Sequence, residues 1–151
     1  MNENLDQKIN LENKSSFPFW SEDHVRFSDL DLNGHVNNVS FAIYCETGRV
    51  YFRESLTERS KPGHKIDFVV LKLTLTYLHQ GFYPGKVDIG TRVLKIGKSS
   101  CTLGQGIFCE NVCIGIGETI WVYTDTIKGK SEPMPGEMRN LLAPYMRGEE
   151  D

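Results

Sequence analysis

Residues 38–56 read NVSFAIYCETGRVYFRESL, a proline-free stretch in which apolar and aromatic side chains fall on more than one helical stripe. Val39, Ile43, Glu46 and Val50 lie near one face, while Phe41, Tyr44, Cys45 and Phe52 occupy others. A surface helix needs a single apolar stripe, so this pattern predicts a helix surrounded by other elements. Asn37 and Asn38 stand at its start, where either can cap by accepting from a backbone N–H two or three residues on. Charges gather toward its end in Arg49, Arg53, Glu54, Glu58 and Arg59, and Lys61-Pro62-Gly63 closes the region.

Outward from the helix, the periodicity changes. On the C-terminal side Leu71, Leu73, Leu75 and Tyr77 alternate with Lys72, Thr74 and Thr76, the period of a strand. Tyr83-Pro84-Gly85 marks a turn, after which Val87, Ile89, Thr91 and Val93 alternate as far as Gly97. Two further runs, Ser100 to Glu110 and Val112 to Thr126, meet at a turn at Asn111; Glu137 to Leu142 suits a short closing helix. On the N-terminal side, Glu22 to Phe27 reads as a first strand. Long strands joined by short turns make one twisted antiparallel sheet. With one apolar helix, the two-layer solution is an α+β domain in which the sheet wraps around the helix. Edge strands of such a sheet favour pairing with a second copy, so a homodimer or homotetramer is expected.

The 151 residues suit one domain. Residues 1–16, with four Asn and no apolar run, read as a loosely ordered tail that adds nothing to a core, ahead of a single domain at 17–148. They match neither a signal peptide nor a membrane span. A net charge of −3 argues against a global grip on nucleic acid. Cys45, Cys101, Cys109 and Cys113 form no C-x-x-C pair and read as buried, reduced thiols of a cytoplasmic protein.

The segment Asp29-Leu30-Asp31-Leu32-Asn33-Gly34-His35-Val36-Asn37-Asn38 concentrates two carboxylates, an imidazole and three carboxamides between a strand and a helix start. A helix N-terminus offers unpaired N–H groups and partial positive charge, which stabilise a developing oxyanion. Asp31 beside it can act as general base or nucleophile, with Asn33 and His35 as orienting groups. The same residue types are default turn formers, so a purely structural loop is the competing reading. Asp31 and His35 as metal ligands would need further partners, and His24, His64 and His79 are scattered; no metal or cofactor is expected. No G-x-S-x-G elbow or phosphate-cradling glycine loop exists, and glycines at Gly104, Gly106, Gly115 and Gly117 sit in strand patterns where they mark a bulge or a close approach. Glu46 suits either a second acid or an ion-pair partner of Arg49 or Arg53.

The string Arg26 to Asn38, followed by Phe41 and Glu46-Thr47-Gly48-Arg49, resembles the hotdog-fold acyl thioesterases. The likeness is to the 4-hydroxybenzoyl-CoA thioesterase-like branch and to plant-type acyl-carrier-protein thioesterases. Tyr83-Pro84-Gly85, Lys98-Ser99-Ser100 and Lys130 to Pro135 extend it over Trp20 to Pro135. The resemblance implies a hotdog fold and hydrolysis of an acyl thioester carried on CoA or an acyl carrier protein. It implies the catalytic carboxylate at Asp31, the Asp-x-Asn-x-His pattern at Asp31, Asn33 and His35, and the carbonyl-polarising helix amide near Asn38. Phe41, Glu46, Arg49 and Lys98 are the candidate substrate contacts, and Arg49, Arg53, Lys95 and Lys98 the candidate cations for CoA phosphates. Phe41 stands where Tyr is common, and Lys86 replaces an acidic residue after the loop glycine. A hotdog protein that binds acyl thioesters without hydrolysing them is the alternative.

Overall fold

The computed structural model describes residues 8–60, 62 and 67–149. Strand β1 (Phe19–Val25) leads through a 3-10 turn (Phe27–Asp29) to helix α1 (Asn38–Arg59). Strands β2 (Phe68–Tyr77), β3 (Gly85–Ile96), β4 (Ser100–Cys109), β5 (Val112–Asp125) and the short β6 (Lys130–Ser131) follow. Helix α2 (Gly136–Leu142) and a 3-10 turn (Ala143–Met146) close the chain. The sheet is antiparallel in the order β1-β3-β4-β5-β2, with β6 on the end of β5. It curls around α1, so the α+β hotdog architecture expected from the sequence is the one found. The β4–β5 hairpin turns on Glu110 and Asn111, at φ of 49° and 66°, the left-handed pair that matches strand twist across a two-residue turn.

The strands approach α1 closely where they carry glycine. A Cβ at Gly115 would lie 2.7 Å from Phe41, and one at Gly117 would lie 2.6 Å from the Cys45 sulfur. The buried face of α1 comprises Ser40, Phe41, Tyr44, Cys45, Gly48, Arg49, Phe52 and Leu56, the i, i+3, i+4 spacing of one broad stripe. Its first turns pack on Val87, Ile89, Ile107 and Ile114, and its last on Val93, Leu103, Trp121 and Met138. The expectation of a helix enclosed on all sides fails within one chain: Val39, Ile43 and Val50 are exposed, because the sheet covers only one side. α1 ends at Arg59 with Ser60 as its cap, and Lys61 and Gly63 of the expected terminator lie outside the described residues.

β2 forms one edge of the sheet and is largely uncovered. Phe68 is buried, whereas Val69, Val70, Leu71 and Tyr77 are exposed and a bulge falls between Val70 and Lys72. The outer face of the sheet carries a smaller cluster of Leu11, Phe17, Phe108 and Cys113. Leu11 is thus a core residue, which corrects the reading of residues up to 16 as a tail outside the core; residues 1–7 lie outside the described range. Leu11 reaches this position across Gly104, where a Cβ would sit 3.0 Å from its methyl groups. Buried Arg92 of β3 holds both terminal segments on this face, donating to Ser16 O at 2.9 Å and to Met146 O. Glu149 N–H donates to Ser15 O at 2.8 Å.

Candidate active site

The chain between β1 and α1 folds into a compact loop because its polar groups satisfy one another. Leu30 and Val36 pair as an isolated bridge, closing a loop over Asp31 to His35. Gly34 adopts φ of +75°, a conformation that strains a side chain and costs glycine nothing. Asp31 N–H donates to His35 O at 2.9 Å and Gly34 N–H to Asp31 O at 3.0 Å. Asp31 Oδ1 accepts from Asn33 N–H at 2.8 Å and from His35 N–H at 3.4 Å, an Asx turn. Its Oδ2 has no hydrogen-bond partner among the described residues.

The helix start lies alongside. Asn37 takes the cap, its side chain accepting from Val39 N–H at 3.1 Å, and its C=O accepts from Ser40 N–H at 2.9 Å. Asn38 is left as the first helical residue, exposed, with its own N–H unpartnered among the described residues. That donor stands at the positive end of a 22-residue helix. Loop and helix are joined directly, since Asn37 N–H donates to Asp29 O at 2.7 Å.

The two carboxylates of the Asp-x-Asp pair have separate environments. Asp29 is 5% exposed, and its Oδ2 accepts from Tyr44 Oη and Arg26 N–H, both at 2.8 Å. Asp31 is half-buried and has a free oxygen. Of the two, only Asp31 can reach a ligand. The Asp29–Tyr44 contact is not legible in the sequence, where the two residues stand fifteen apart. Its signal would have been Ser40, Tyr44 and Thr47, three hydroxyl residues on one stripe of α1.

The structure brings together Asp31, Asn33, His35 and Asn38, and separates them from most of the other candidates. His35 is half-buried, with its ring edge-on to Phe82 at 5.3 Å between centroids. Beyond Phe82 lies a cavity of about 280 Å³ lined by Gln80, Pro84, Cys109, Val112 and Ile114 among others. Phe41 is 3% exposed, packed edge-on to Tyr77 at 5.0 Å, and Tyr77 Oη donates to Asn38 O at 3.3 Å. Arg49 is buried under the sheet, donating to Thr119 Oγ1 at 3.2 Å and Gln105 Oε1 at 3.5 Å; desolvation holds its pKa below the usual guanidinium value. Glu46 is exposed and makes no ion pair among the described residues, so the expected bridge to Arg49 or Arg53 is absent; Arg53 faces Asp67 at 3.6 Å. Lys98 sits in the β3–β4 turn, its C=O accepting from Met134 N–H at 2.8 Å. That turn is at the far end of α1, on the order of 30 Å from the Asp31 loop by helix rise. Lys86 bridges Glu22 and Asp88, each at 3.1 Å, and those hydrogen bonds raise its pKa.

Cys45 lies in the helix core as expected, and burial pushes its thiol up to about 12. Among the described residues no three His, Cys, Asp or Glu side chains converge as metal ligands, and His64 lies outside that range. No helix among the described residues is long and apolar enough to cross a membrane.

Residues 25–142 match the model of the thioesterase-like superfamily. The uncharacterized protein YsmA of Bacillus subtilis (strain 168) is 35% identical over 130 residues, covering 85% of this chain and 88% of that one. A predicted thioesterase from Bacillus stearothermophilus is similar in structure, with a TM-score of 0.76 at 25% identity over 86% of this chain and 97% of its own. A thioesterase from Thermus thermophilus, solved with coenzyme A and Zn, gives a TM-score of 0.75 at 27% identity over 87% and 96% of the two chains. The chain belongs to the thioesterase-like superfamily. Membership supports thioester hydrolysis as its general activity.

Proposed function

We propose that this chain is an acyl-CoA thioesterase in which Asp31 is the catalytic carboxylate and the N–H of Asn38 holds the thioester oxygen. The observation that carries the reading is the pairing of two unpartnered groups across one hydrogen-bonded junction. Asp31 Oδ2 accepts no bond and Asn38 N–H donates none among the described residues, while Asn37 N–H to Asp29 O fixes their segments together. Asp31 activates a water, or attacks the carbonyl itself, and negative charge develops on the thioester oxygen. The helix N-terminus stabilises that charge without reorganisation. The C–S bond then breaks and the thiol leaves with a proton; on the water route this leaves the free acid, and on the direct route it leaves a mixed anhydride on Asp31 that a water hydrolyses to the free acid and the regenerated carboxylate. Asn33 and His35 hold the loop in shape through their backbone N–H groups on Asp31 Oδ1 and present their side chains toward substrate.

CoA as carrier is favoured over an acyl carrier protein because the similar Thermus thermophilus thioesterase holds coenzyme A. The active unit is a homo-oligomer in this reading. The uncovered apolar edge of β2 is a template for strand pairing with a second copy, and soluble proteins seldom leave so long an edge open. Tyr77, at the end of that edge, contacts the first turn of α1, so pairing along β2 brings a second chain to the rim of the site.

A free-thiol release assay on acyl-CoAs of several chain lengths, with acyl carrier protein substrates in parallel, tests the proposal. Asp31→Asn abolishes turnover while circular dichroism and the sedimentation profile stay those of the unsubstituted protein. Undiminished hydrolysis by that variant removes Asp31 from the mechanism. Binding of acyl-CoA without thiol release from any substrate replaces the enzyme by a non-catalytic acyl-thioester binder.

A further inference from the structure

Ser40, Tyr44 and Thr47 are spaced four and three residues apart, so their hydroxyls lie along one stripe of α1. Each donates to the segment that precedes the helix. Ser40 Oγ donates to Asp29 O at 3.1 Å, Tyr44 Oη to Asp29 Oδ2 at 2.8 Å, and Thr47 Oγ1 to Asp23 Oδ2 at 2.9 Å. Between the two buried carboxylates, Arg26 closes the frame, with Nη2 at 2.8 Å from Asp23 and Nη1 at 3.6 Å from Asp29. Burial and the adjacent Asp29 carboxylate hold the Tyr44 hydroxyl well above its ordinary pKa, so it remains a donor.

We infer that Asp29 is a positioning residue: with Tyr44, Ser40 and Arg26 it fixes where the Asp31 loop stands relative to the first turn of α1. The inference rests on the proposed role of Asp31. Its force comes from the way Asp29 is placed. The Asp29 C=O takes both Asn37 N–H at 2.7 Å and Ser40 Oγ, while the side chain takes Tyr44 from one turn further along the helix. Asp31 follows two residues later, through Leu30, whose partner in the bridge is Val36. The carboxylate and the amide proposed to act on one thioester are therefore both referenced to the same residue. An ion pair with one partner largely in solvent, as Arg26 is at 53% exposed, adds little net stability. What this one supplies is a single geometry, and misplacement of a reacting group by about 1 Å costs roughly a hundredfold in rate.

The test compares Tyr44→Phe and Ser40→Ala, which remove one hydroxyl each and keep the core filled, with Val93→Ala, which opens a space at the opposite end of α1. On a thioester that the unsubstituted protein hydrolyses, the first two lower kcat roughly tenfold to a hundredfold with KM changed less than about twofold. Val93→Ala lowers the melting temperature but keeps kcat at any temperature where it is folded. Wild-type kcat in Tyr44→Phe overturns the inference, as does a loss of rate that follows melting temperature through all three variants. Amide hydrogen exchange gives a readout independent of hydrolysis. Tyr44→Phe speeds exchange at the N–H groups of Asp31, Gly34 and Asn37 and leaves those of β4 unchanged. Unchanged protection in the loop overturns the frame whatever the activity, whereas faster exchange in a protein that hydrolyses nothing keeps the frame and removes the Asp31 chemistry.

Discussion

Gly48 offers a quantitative test of how tightly α1 sits on the sheet. Replacement by Ala in an exposed helix stabilises by about 1 kcal/mol, since glycine carries the larger loss of backbone freedom. Here the added methyl would stand 2.5 Å from Gln105 Nε2 and 2.7 Å from Ile89 Cγ2. Neither neighbour is free to retreat. Gln105 is fully buried and donates to Cys45 O at 3.0 Å and Thr91 Oγ1 at 3.2 Å, and Ile89 is enclosed in the cluster beneath the helix. Forcing a methylene into such a site costs about 1–3 kcal/mol. Displacing Gln105 leaves a buried donor unsatisfied, at about 1–3 kcal/mol more. Set against the helix-propensity gain, the net loss is about 1–5 kcal/mol, or a fall of about 2–20 °C in Tm for a chain of this size. Thermal and urea unfolding followed by circular dichroism measure it, with an unchanged urea slope showing that the unfolding reaction is the same. A Gly48→Ala protein as stable as the parent would mean that helix and sheet are further apart than described, and the close contacts at Gly115 and Gly117 would fall with it.

Gly136 is the counter-case: at the first position of α2 an added Cβ meets nothing within 4 Å, so Gly136→Ala raises stability by about 0.4–1 kcal/mol, and a lower urea midpoint would contradict that open space. The cysteines make a pH prediction. Burial pushes Cys45 and Cys101 from 9.0 up to about 12, so the folded protein keeps neutral thiols where the unfolded chain ionises. Their contribution is complete below pH 9 and is lost as pH rises toward about 12, so the urea midpoint falls steadily across that window; a flat profile refutes it. A thiol reagent at about pH 8 reacts slowly with both until denaturant is added.

Much of the architecture was legible because local pattern and tertiary structure agree. The period-two runs of Val87 to Val93 and the turn at Asn111 became β3 and the β4–β5 hairpin, and Asn37 capped the helix it precedes. The strand glycines marked close approach, as Gly115 against Phe41 shows. What escaped depends on contacts distant in sequence. Leu11 is a lone apolar residue in a polar stretch, and nothing local reveals the space above Gly104 that receives it. The stripe of Val39, Ile43 and Val50 has the same period as the buried one, so periodicity alone does not say which face the sheet covers. At the site, turn chemistry and the Asp-x-Asp pair located the loop. The division of labour between Asp29 and Asp31 required Tyr44, fifteen residues further on.

The grip of Arg92 on Ser16 O and Met146 O, with Glu149 bonded to Ser15, gathers residues 15–16 and 146–149 onto the wall facing away from α1. One side chain in the middle of the sheet thus ties together two stretches some 130 residues apart in sequence, and Arg92→Ala loosens both from the back of the sheet at once.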